Sequence, residues 1–222
     1  MADFDRTAAY IESLSKDMPA YLAELERAAI AEQVPVIRPA AQDLLRFVLA
    51  AHRPRHILEI GTATGFSALF MREYTPSDTK ILTIENYEKR IRAAENNFNK
   101  YDTDHRILLL EGDAVDLLGK LAGPFDLIFL DAAKGQYLHF LEGLLRLLIP
   151  GGILLSDNVL QEGDIVESRY IVERRDRTIH KRMREFLFAL THDDALETVI
   201  LPVGDGMSVT YKKSGAEKGG YA

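Results

Sequence analysis

The sequence contains no cysteine, which excludes disulfide bonds, thiolate zinc sites and cysteine nucleophiles. The absence also fits a reducing cytoplasm, which we expect to be the location of the protein. No apolar run approaches the ~20 residues that a membrane-spanning helix needs, so we expect no membrane partner. The six histidines show no metal-ligand spacing, and neither a nucleophile elbow nor a phosphate-binding loop motif is present. Hydrolases with such an elbow and nucleoside triphosphatases are therefore disfavoured.

The composition is that of one folded domain. The 222 residues are 47% hydrophobic, which is enough for a single α/β domain with a full core. The formal net charge of −7 argues against coating of nucleic acid by the whole surface. We predict one domain over residues 1–213, with an N-terminal helical segment over 1–53 and an α/β core over 54–213. Residues 214–222 are polar and rich in glycine, which predicts a flexible tail.

Short apolar runs alternate with helical segments from Arg55 onward, and these runs read HILEIG, KILTIE, RILLLEG, FDLIFLD and GGILLSDN. Such alternation predicts right-handed crossovers and a parallel sheet that is buried on both faces. Two later runs, LETVILPV and MSVTYKK, are joined only by Gly204, Asp205 and Gly206. This connection is too short for a crossover and predicts an antiparallel hairpin. The predicted fold class is α/β: a Rossmann-like, doubly wound, mixed seven-stranded sheet with an antiparallel last hairpin and N-terminal helices.

The ends of the first three strands carry features of a nucleotide-binding edge. The first strand runs into EIGTATG, where Gly61 permits a tight turn and Gly65 permits close packing of the next helix. The second strand ends in Glu85, a carboxylate that can accept both hydroxyls of a ribose. The third is followed by EGDA, which places Asp113 and Ala114 near a base edge. The alternative is that these are ordinary turn glycines and a solvated strand cap.

The ends of the fourth and fifth strands carry a second group of polar residues. Asp131 ends the fourth strand, and Asp157 and Asn158 end the fifth, so their oxygens should converge if the strands are neighbours. Hard oxygen donors without cysteine or histidine select Mg²⁺, Ca²⁺ or Mn²⁺ over zinc. Lys134 is placed to receive a proton from an acceptor hydroxyl beside such a cation. The alternative is that Asp131 caps a helix and Lys134 is a surface lysine.

The first strand end resembles the first motif of class I S-adenosylmethionine-dependent methyltransferases, which is an acid followed by Gly-x-Gly-x-Gly. Glu59 and Gly61 match that motif, and Ala63 replaces its middle glycine. DAAKGQY followed by SDN is similar to the cation-dependent O-methyltransferases of the catechol and caffeoyl-CoA type. This resemblance covers the chain from about Val34. It implies S-adenosylmethionine (SAM) and a divalent cation, with Mg²⁺ first, as cofactors.

The resemblance also implies roles for individual residues and a homodimeric assembly. The residue matching Lys134 is the family's proposed base. The residues matching Asp131, Asp157 and Asn158 bind the cation. We expect contact with SAM from Ile37, Glu59, Gly61, Ser67, Glu85, Asp113, Ala114 and Asp131.

The family's cation chelates two neighbouring oxygens of the acceptor. One bacterial branch methylates 5-hydroxyuridine at the wobble position of tRNA, and this sequence is similar to it in DAAKGQY, SDNVL and particularly LPVGDGMSVTYKK. We therefore predict formation of 5-methoxyuridine in tRNA. The alternatives are the same chemistry on small catechol-like phenols or CoA esters, and a non-catalytic protein that retains the fold.

A basic stripe supports the tRNA hypothesis independently. The stretch from Arg169 to Arg184 has seven basic and two acidic residues, a net charge of +5 in a chain of −7. Such a stripe can bind the phosphates around an anticodon loop. A solvated helix face is the alternative. Tyr137 is interpreted as a packing residue of its helix. The basic residues are Arg169, Arg174, Arg175, Arg177, Lys181, Arg182 and Arg184.

Overall fold

The computed structural model describes residues 2–168 and 170–214, and these contain seven strands and eight α-helices. The strands are β1 (His56–Ile60), β2 (Lys80–Glu85), β3 (Ile107–Glu111), β4 (Phe125–Leu130), β5 (Leu148–Ser156), β6 (Leu196–Leu201) and β7 (Met207–Lys212). The helices are α1 (Ala2–Glu12), α2 (Ala20–Ala31), α3 (Pro39–His52), α4 (Phe66–Glu73), α5 (Glu88–Tyr101), α6 (Ala114–Leu118), α7 (Tyr137–Leu147) and α8 (Arg177–His192). Two 3₁₀ helices span Lys134–Gln136 and Gln161–Val166.

The strands form one sheet in the order β3-β2-β1-β4-β5-β7-β6. Strands β1 to β5 pair in parallel, and β7 runs antiparallel to both of its neighbours. The order steps outward in both directions from β1, which is the doubly wound topology that the sequence predicts. The predicted mixed sheet with a reversed strand in its last hairpin is confirmed.

The last hairpin differs in one detail from the prediction. Strand β6 ends at Leu201, which pairs with Met207, so the connection covers residues 202–206 and is longer than the three residues expected. Pro202 follows Leu201 and has no backbone N–H to donate to a strand ladder. The strand therefore ends at Leu201, although the apolar run continues.

A separate hydrophobic core covers each face of the sheet. Helices α6, α7 and α8 pack on one face, and α2, α3, α4 and α5 pack on the other. The helical spacing of Leu22, Leu25 and Ala29 predicts a buried stripe, and all three side chains are buried in α2. Pro39 is the first residue of α3, where its missing N–H costs no hydrogen bond. The predicted N-terminal helices are therefore confirmed.

Some expectations concern features that the fold does not test. The domain bounds, the cytoplasmic location and the homodimer stay predictions. Residues 215–222 of the predicted tail lie outside the described residues. Across the part of the chain that is described, no helix combines the length and the apolar composition needed to cross a bilayer.

Candidate active site

A cavity of about 780 Å³ opens at the carboxyl ends of the parallel strands. This is the edge at which open α/β sheets bind ligands. The cavity brings the two predicted groups of residues, one for the cofactor and one for the cation, into a single site. The predicted residues on its wall are Gly61, Glu85, Asp113, Ala114, Asp131, Lys134, Asp157 and Asn158.

Gly61 lies in the turn after β1, where the backbone packs against the end of β4. Its φ is +100°, and its N–H donates to the carbonyl of Ile84 at 3.0 Å. A Cβ built at this position overlaps the carbonyl oxygen of Asp131. Only glycine fits here, because both the backbone angle and the space exclude a side chain.

The Gly61→Ala substitution is expected to destabilise the fold by at least ~2 kcal/mol more than Gly163→Ala, because overlap adds to backbone strain. Gly163 has a similar φ of +96°, but a Cβ added there meets nothing within 4 Å, so it is the matched control for strain alone. Urea denaturation of both variants measures the difference. Equal losses of stability would contradict the close approach of Gly61 to Asp131.

Three backbone N–H groups fix the carboxylate of Glu85. Ala63 donates to one oxygen at 2.9 Å, and Asn86 and Tyr87 donate to the other at 3.0 Å each. Ala63 adopts a φ of +47°, the left-handed conformation that a glycine accepts more readily. The turn after β1 therefore holds Glu85 in a fixed orientation at the cavity wall, as a ribose-binding carboxylate requires.

Asp113 and Ala114 form another part of the wall, at the start of α6. The Asp113 carboxylate accepts a hydrogen bond of 2.8 Å from the N–H of Val115 and caps this helix. Ala114 is buried as its first residue. The structure places both residues beside Glu85 in the same cavity, as the sequence predicts.

Ile37, Glu59 and Ser67 are buried and are not part of the cavity wall. Glu59 accepts a hydrogen bond from the hydroxyl of Thr83, and its other oxygen has no partner among the described residues. Burial, with a smaller contribution from the charge of Glu85, raises the pKa of Glu59 to about 7. These residues are buried behind the cavity wall. Their contact with the cofactor stays a prediction.

Asp131 and Asp157 lie side by side because the sheet ladder continues one residue past its strands. Leu130 pairs with Ser156, the N–H of Asp131 donates to Ile60 at 3.0 Å, and that of Asp157 donates to Leu130 at 3.0 Å. Burial raises the pKa of Asp131 to about 7, helped by the charge of Asp157. Burial also raises the pKa of Asp157 to about 6. Two recessed carboxylates of this kind are the donor set that a hard cation stabilises.

Asn158 and Lys134 converge on a further carboxylate, that of Asp205. The amide nitrogen of Asn158 and the ammonium of Lys134 each lie 3.4 Å from the same Asp205 oxygen. Because the nitrogen of Asn158 faces Asp205, its amide oxygen is available as a ligand. Asp205 lies in the β6–β7 connection, which the sequence analysis interpreted only as a turn. An acid between two glycines beside the SDN strand was the signal for it.

The side chains of Asp131, Asp157 and Asn158 are suitable ligands for a hard cation, although only two of the three are carboxylates. Within residues 2–168 and 170–214, no group of three or more His, Cys, Asp or Glu side chains is arranged to hold a metal ion. The predicted set is two carboxylates and an amide, which is a donor combination suited to Mg²⁺ or Ca²⁺. The cation and its three ligands stay predictions that the donor chemistry supports.

Tyr137 links the ends of β4 and β5. The side chain is fully buried, and its hydroxyl donates towards the carbonyl oxygens of Leu130 at 3.2 Å and Asp157 at 3.0 Å. The ring packs edge-on against Phe186 of α8. The interpretation of Tyr137 as a packing residue is confirmed, and its hydroxyl adds a role that periodicity did not indicate.

Three of the seven basic residues of the stripe donate hydrogen bonds to backbone carbonyls of the protein itself. Arg177 donates to the carbonyl of Val172 at 3.1 Å, and Arg182 donates to that of Gly135 at 3.0 Å. Arg184 donates to a carbonyl of the second 3₁₀ helix at 3.4 Å. These arginines fasten α8 to the segments around the cavity, a role that a count of charges cannot reveal.

Most of the described residues of the stripe are on the surface, Arg184 included. Arg174, Arg175 and Lys181 are exposed, and Arg175 pairs with Glu173 at 3.0 Å. Arg169 lies outside the described residues. The predicted contact of the stripe with RNA stays a prediction.

The comparison with known proteins matches residues 12–213 to a family model described as O-methyltransferase. The catechol O-methyltransferase of Mycobacterium tuberculosis is 33% identical over 71% of this chain and 73% of its own length. Caffeoyl-CoA O-methyltransferase 2 of Populus trichocarpa is 32% identical over 74% of this chain and 70% of its own length. Among solved structures, the methyltransferase PaMTH1 of Podospora anserina, bound to S-adenosylhomocysteine (SAH), has a TM-score of 0.82 at 31% identity and covers 96% of each chain.

The sheet with its reversed strand and the acidic cavity at its carboxyl edge are those of a Rossmann-like methyltransferase. The chain belongs to the O-methyltransferase family. The resemblance to this family is thereby confirmed, and the SAH held by the Podospora structure supports SAM as the cofactor. The relatives named here do not extend the assignment to the tRNA branch.

Proposed function

We propose that the chain transfers the methyl group of SAM to one hydroxyl of a small catechol-like phenol, with a divalent cation as cofactor. The observation that carries the proposal is the adjacency of Asp131, Asp157 and Asn158 to Lys134 and to the Gly61 turn in one cavity. Relatives named for catechol and caffeoyl-CoA agree with an acceptor that has two neighbouring oxygens.

The residues divide into three roles. Gly61, Glu85, Asp113 and Ala114 would hold the nucleoside part of SAM, with Glu85 accepting from the ribose hydroxyls. Asp131, Asp157 and Asn158 would hold the cation. A cation at this position lowers the pKa of a neighbouring hydroxyl, which makes the phenol oxygen a better nucleophile.

Lys134 would take the phenol proton through its uncharged amine, which becomes an ammonium as the proton arrives. Its Nζ atom lies 3.4 Å from a carboxylate oxygen of Asp205, so Asp205 orients the side chain at the cavity wall and accommodates the charge that it gains. The oxygen forms a bond to the methyl carbon as the carbon–sulfur bond breaks, and SAH leaves with the electron pair on sulfur. The cavity aligns donor and acceptor, which supplies the remaining acceleration.

Mass spectrometry of purified protein incubated with SAM and catechol tests this function. We expect a monomethyl ether with added Mg²⁺, loss of the product with EDTA, and recovery on re-addition of Mg²⁺ or Mn²⁺. Product that forms equally in EDTA would overturn the role of the cation. Absence of product under all of these conditions would overturn the small-phenol proposal.

A second candidate acceptor is 5-hydroxyuridine at the wobble position of tRNA. The exposed side chains of Arg174, Arg175 and Lys181 favour it, together with the similarity in LPVGDGMSVTYKK. The bonds that Arg177, Arg182 and Arg184 make to backbone carbonyls weaken it, because these three of the seven basic residues are already engaged within the protein. Small phenols therefore remain the preferred acceptors.

Charge reversal of the two exposed arginines separates the candidates. If tRNA is the acceptor, the Arg174→Glu/Arg175→Glu variant loses methylation of tRNA while turnover of catechol stays intact. If the acceptor is a small phenol, the variant and the parent protein behave alike. Nucleoside mass spectrometry of tRNA from cells with and without the protein also separates the candidates. An unchanged amount of 5-methoxyuridine would exclude tRNA as the acceptor.

A further inference from the structure

A second cavity, of about 200 Å³, lies between the Gln161–Val166 3₁₀ helix and α8. Lys134 lines both this cavity and the larger one, so the two are neighbours at this residue. None of the roles assigned above uses this second cavity. Its position next to the proposed base makes it a neighbouring space for the part of an acceptor that does not react.

His180 is the unusual residue of this cavity. The side chain is only 3% exposed, yet its Nε2 atom has no hydrogen-bond partner among the described residues. The N–H of its backbone donates to Asp176 at 2.9 Å, which fixes the residue in the first turn of α8. A buried polar atom without a partner destabilises the fold, and a ligand group that bonds to it recovers that cost.

The walls of the cavity indicate the chemistry of the ligand. Asp164 and Asp176 contribute carboxylates, whereas Lys134, the only lysine among the described residues of the wall, is paired with Asp205. Hydrogen-bond donors are therefore favoured over a carboxylate. The side chain of Val172, which is buried, gives the cavity an apolar wall that suits the carbon atoms of a short chain.

The size of the cavity limits the ligand further. A volume of about 200 Å³ exceeds the ~30 Å³ share of one water several times. It accommodates a ring substituent of a few atoms, and it is too small for coenzyme A or a nucleotide.

We propose that this cavity holds the ring substituent of the acceptor phenol, and that the imidazole of His180 hydrogen-bonds a hydroxyl or ammonium group at the end of that substituent. The inference rests on the proposed function, since that function places the ring beside Lys134. His180 is then a specificity-determining residue that selects among phenols and takes no part in methyl transfer itself.

A matched set of catechols tests this subsite. The hydroxyethyl, ethyl and carboxymethyl catechols share a two-carbon substituent and differ in the polar group that it carries. For the parent protein we expect kcat/KM to be highest with the hydroxyethyl compound and lowest with the carboxymethyl compound. In His180→Leu, the ratio of kcat/KM for hydroxyethyl over ethyl catechol should fall about 3- to 10-fold, the range of one hydrogen bond.

Two further variants control the measurement. His180→Gln retains a hydrogen-bonding side chain and should restore part of the ratio. His139→Leu removes an exposed imidazole on α7, away from this cavity, and should leave the ratio as it is in the parent protein. An unchanged ratio in a folded His180→Leu variant overturns the subsite, while methylation of the unsubstituted catechol would leave the proposed function standing.

A binding experiment keeps the two proposals separable even if no phenol is methylated. The imidazole ¹⁵N resonances of the full chain are recorded with SAH present, and the His180→Gln variant identifies the signal of His180. A shift of that signal with hydroxyethyl catechol and none with ethyl catechol supports the subsite independently of turnover. Equal shifts with both compounds, or no shift with either, overturn it.

Discussion

Methyl transfer by the Asp157→Ala variant is expected to be about 10³-fold slower than that of the parent protein, a loss of roughly 4 kcal/mol of transition-state stabilisation. Asp157 is 2% exposed, and its backbone N–H donates to the carbonyl of Leu130, which fixes the residue at the end of β5. Removing it leaves Asp131 as the only carboxylate of the predicted cation set. The measurement is kcat/KM for catechol at saturating Mg²⁺.

Asp194→Ala is the matched control, because Asp194 is exposed in the turn before β6 and is not part of the cavity wall. It should retain parental activity. Calorimetric titration with SAH should show similar affinity for the Asp157→Ala variant and the parent protein, since Asp157 is assigned to the cation side. Parental turnover by a folded Asp157→Ala variant would contradict the assignment of Asp157 as a cation ligand.

Lys134→Ala is expected to lower kcat by about 10²- to 10³-fold, the usual contribution of a positioned general base. The side chain is one-third exposed, it contacts Asp205, and it lies on the wall that Asp131 also lines. The expected loss is in kcat more than in KM, because the proton is transferred in the chemical step. Initial rates over a range of catechol concentrations measure the two parameters.

Lys134→Arg distinguishes a base from a fixed positive charge. Arginine keeps the charge next to Asp205 but does not release a proton in proteins, so it should be nearly as slow as alanine. Lys120→Ala, at an exposed position after α6, is the control and should be fully active. Full activity of Lys134→Arg would show that the residue acts only through its charge.

Much of the fold could be predicted because its determinants are local. Five apolar runs with crossovers between them require a parallel sheet, and a short connection between two later runs requires a reversed strand. The end of β6 was less predictable, since the apolar run continues through Pro202 and Val203 after the ladder has ended at Leu201. Hydrophobic pattern marks burial, whereas strand bounds also depend on N–H donors.

The site residues that lie at the ends of strands could be predicted from the sequence. Asp131, Asp157 and Glu85 each end or follow a strand, so parallel pairing alone brings them to one edge. Asp205 and His180 were missed because their positions depend on how the last hairpin and α8 pack over that edge. Glu59 lies near the end of its strand as Glu85 does, but its side chain is fully buried behind the cavity wall.

The basic stripe shows a different limit of the sequence. Charge density predicts a surface that attracts phosphate, but it cannot distinguish an arginine in solvent from one that bonds backbone carbonyls. Arg177, Arg182 and Arg184 belong to the second kind. Their partners lie in the Lys134–Gln136 and Gln161–Val166 turns and in the segment before α8, and only the packing of α8 brings them within reach.

The central claim is that Asp131, Asp157 and Asn158 together bind a divalent cation beside the cofactor. The most direct test is anomalous diffraction from crystals grown with SAH and Mn²⁺, measured near the manganese absorption edge. We predict one strong anomalous peak bounded by oxygen atoms of these three side chains and open towards Lys134. A cavity with clear density for SAH and no such peak, or a peak bound by other residues, would contradict the account.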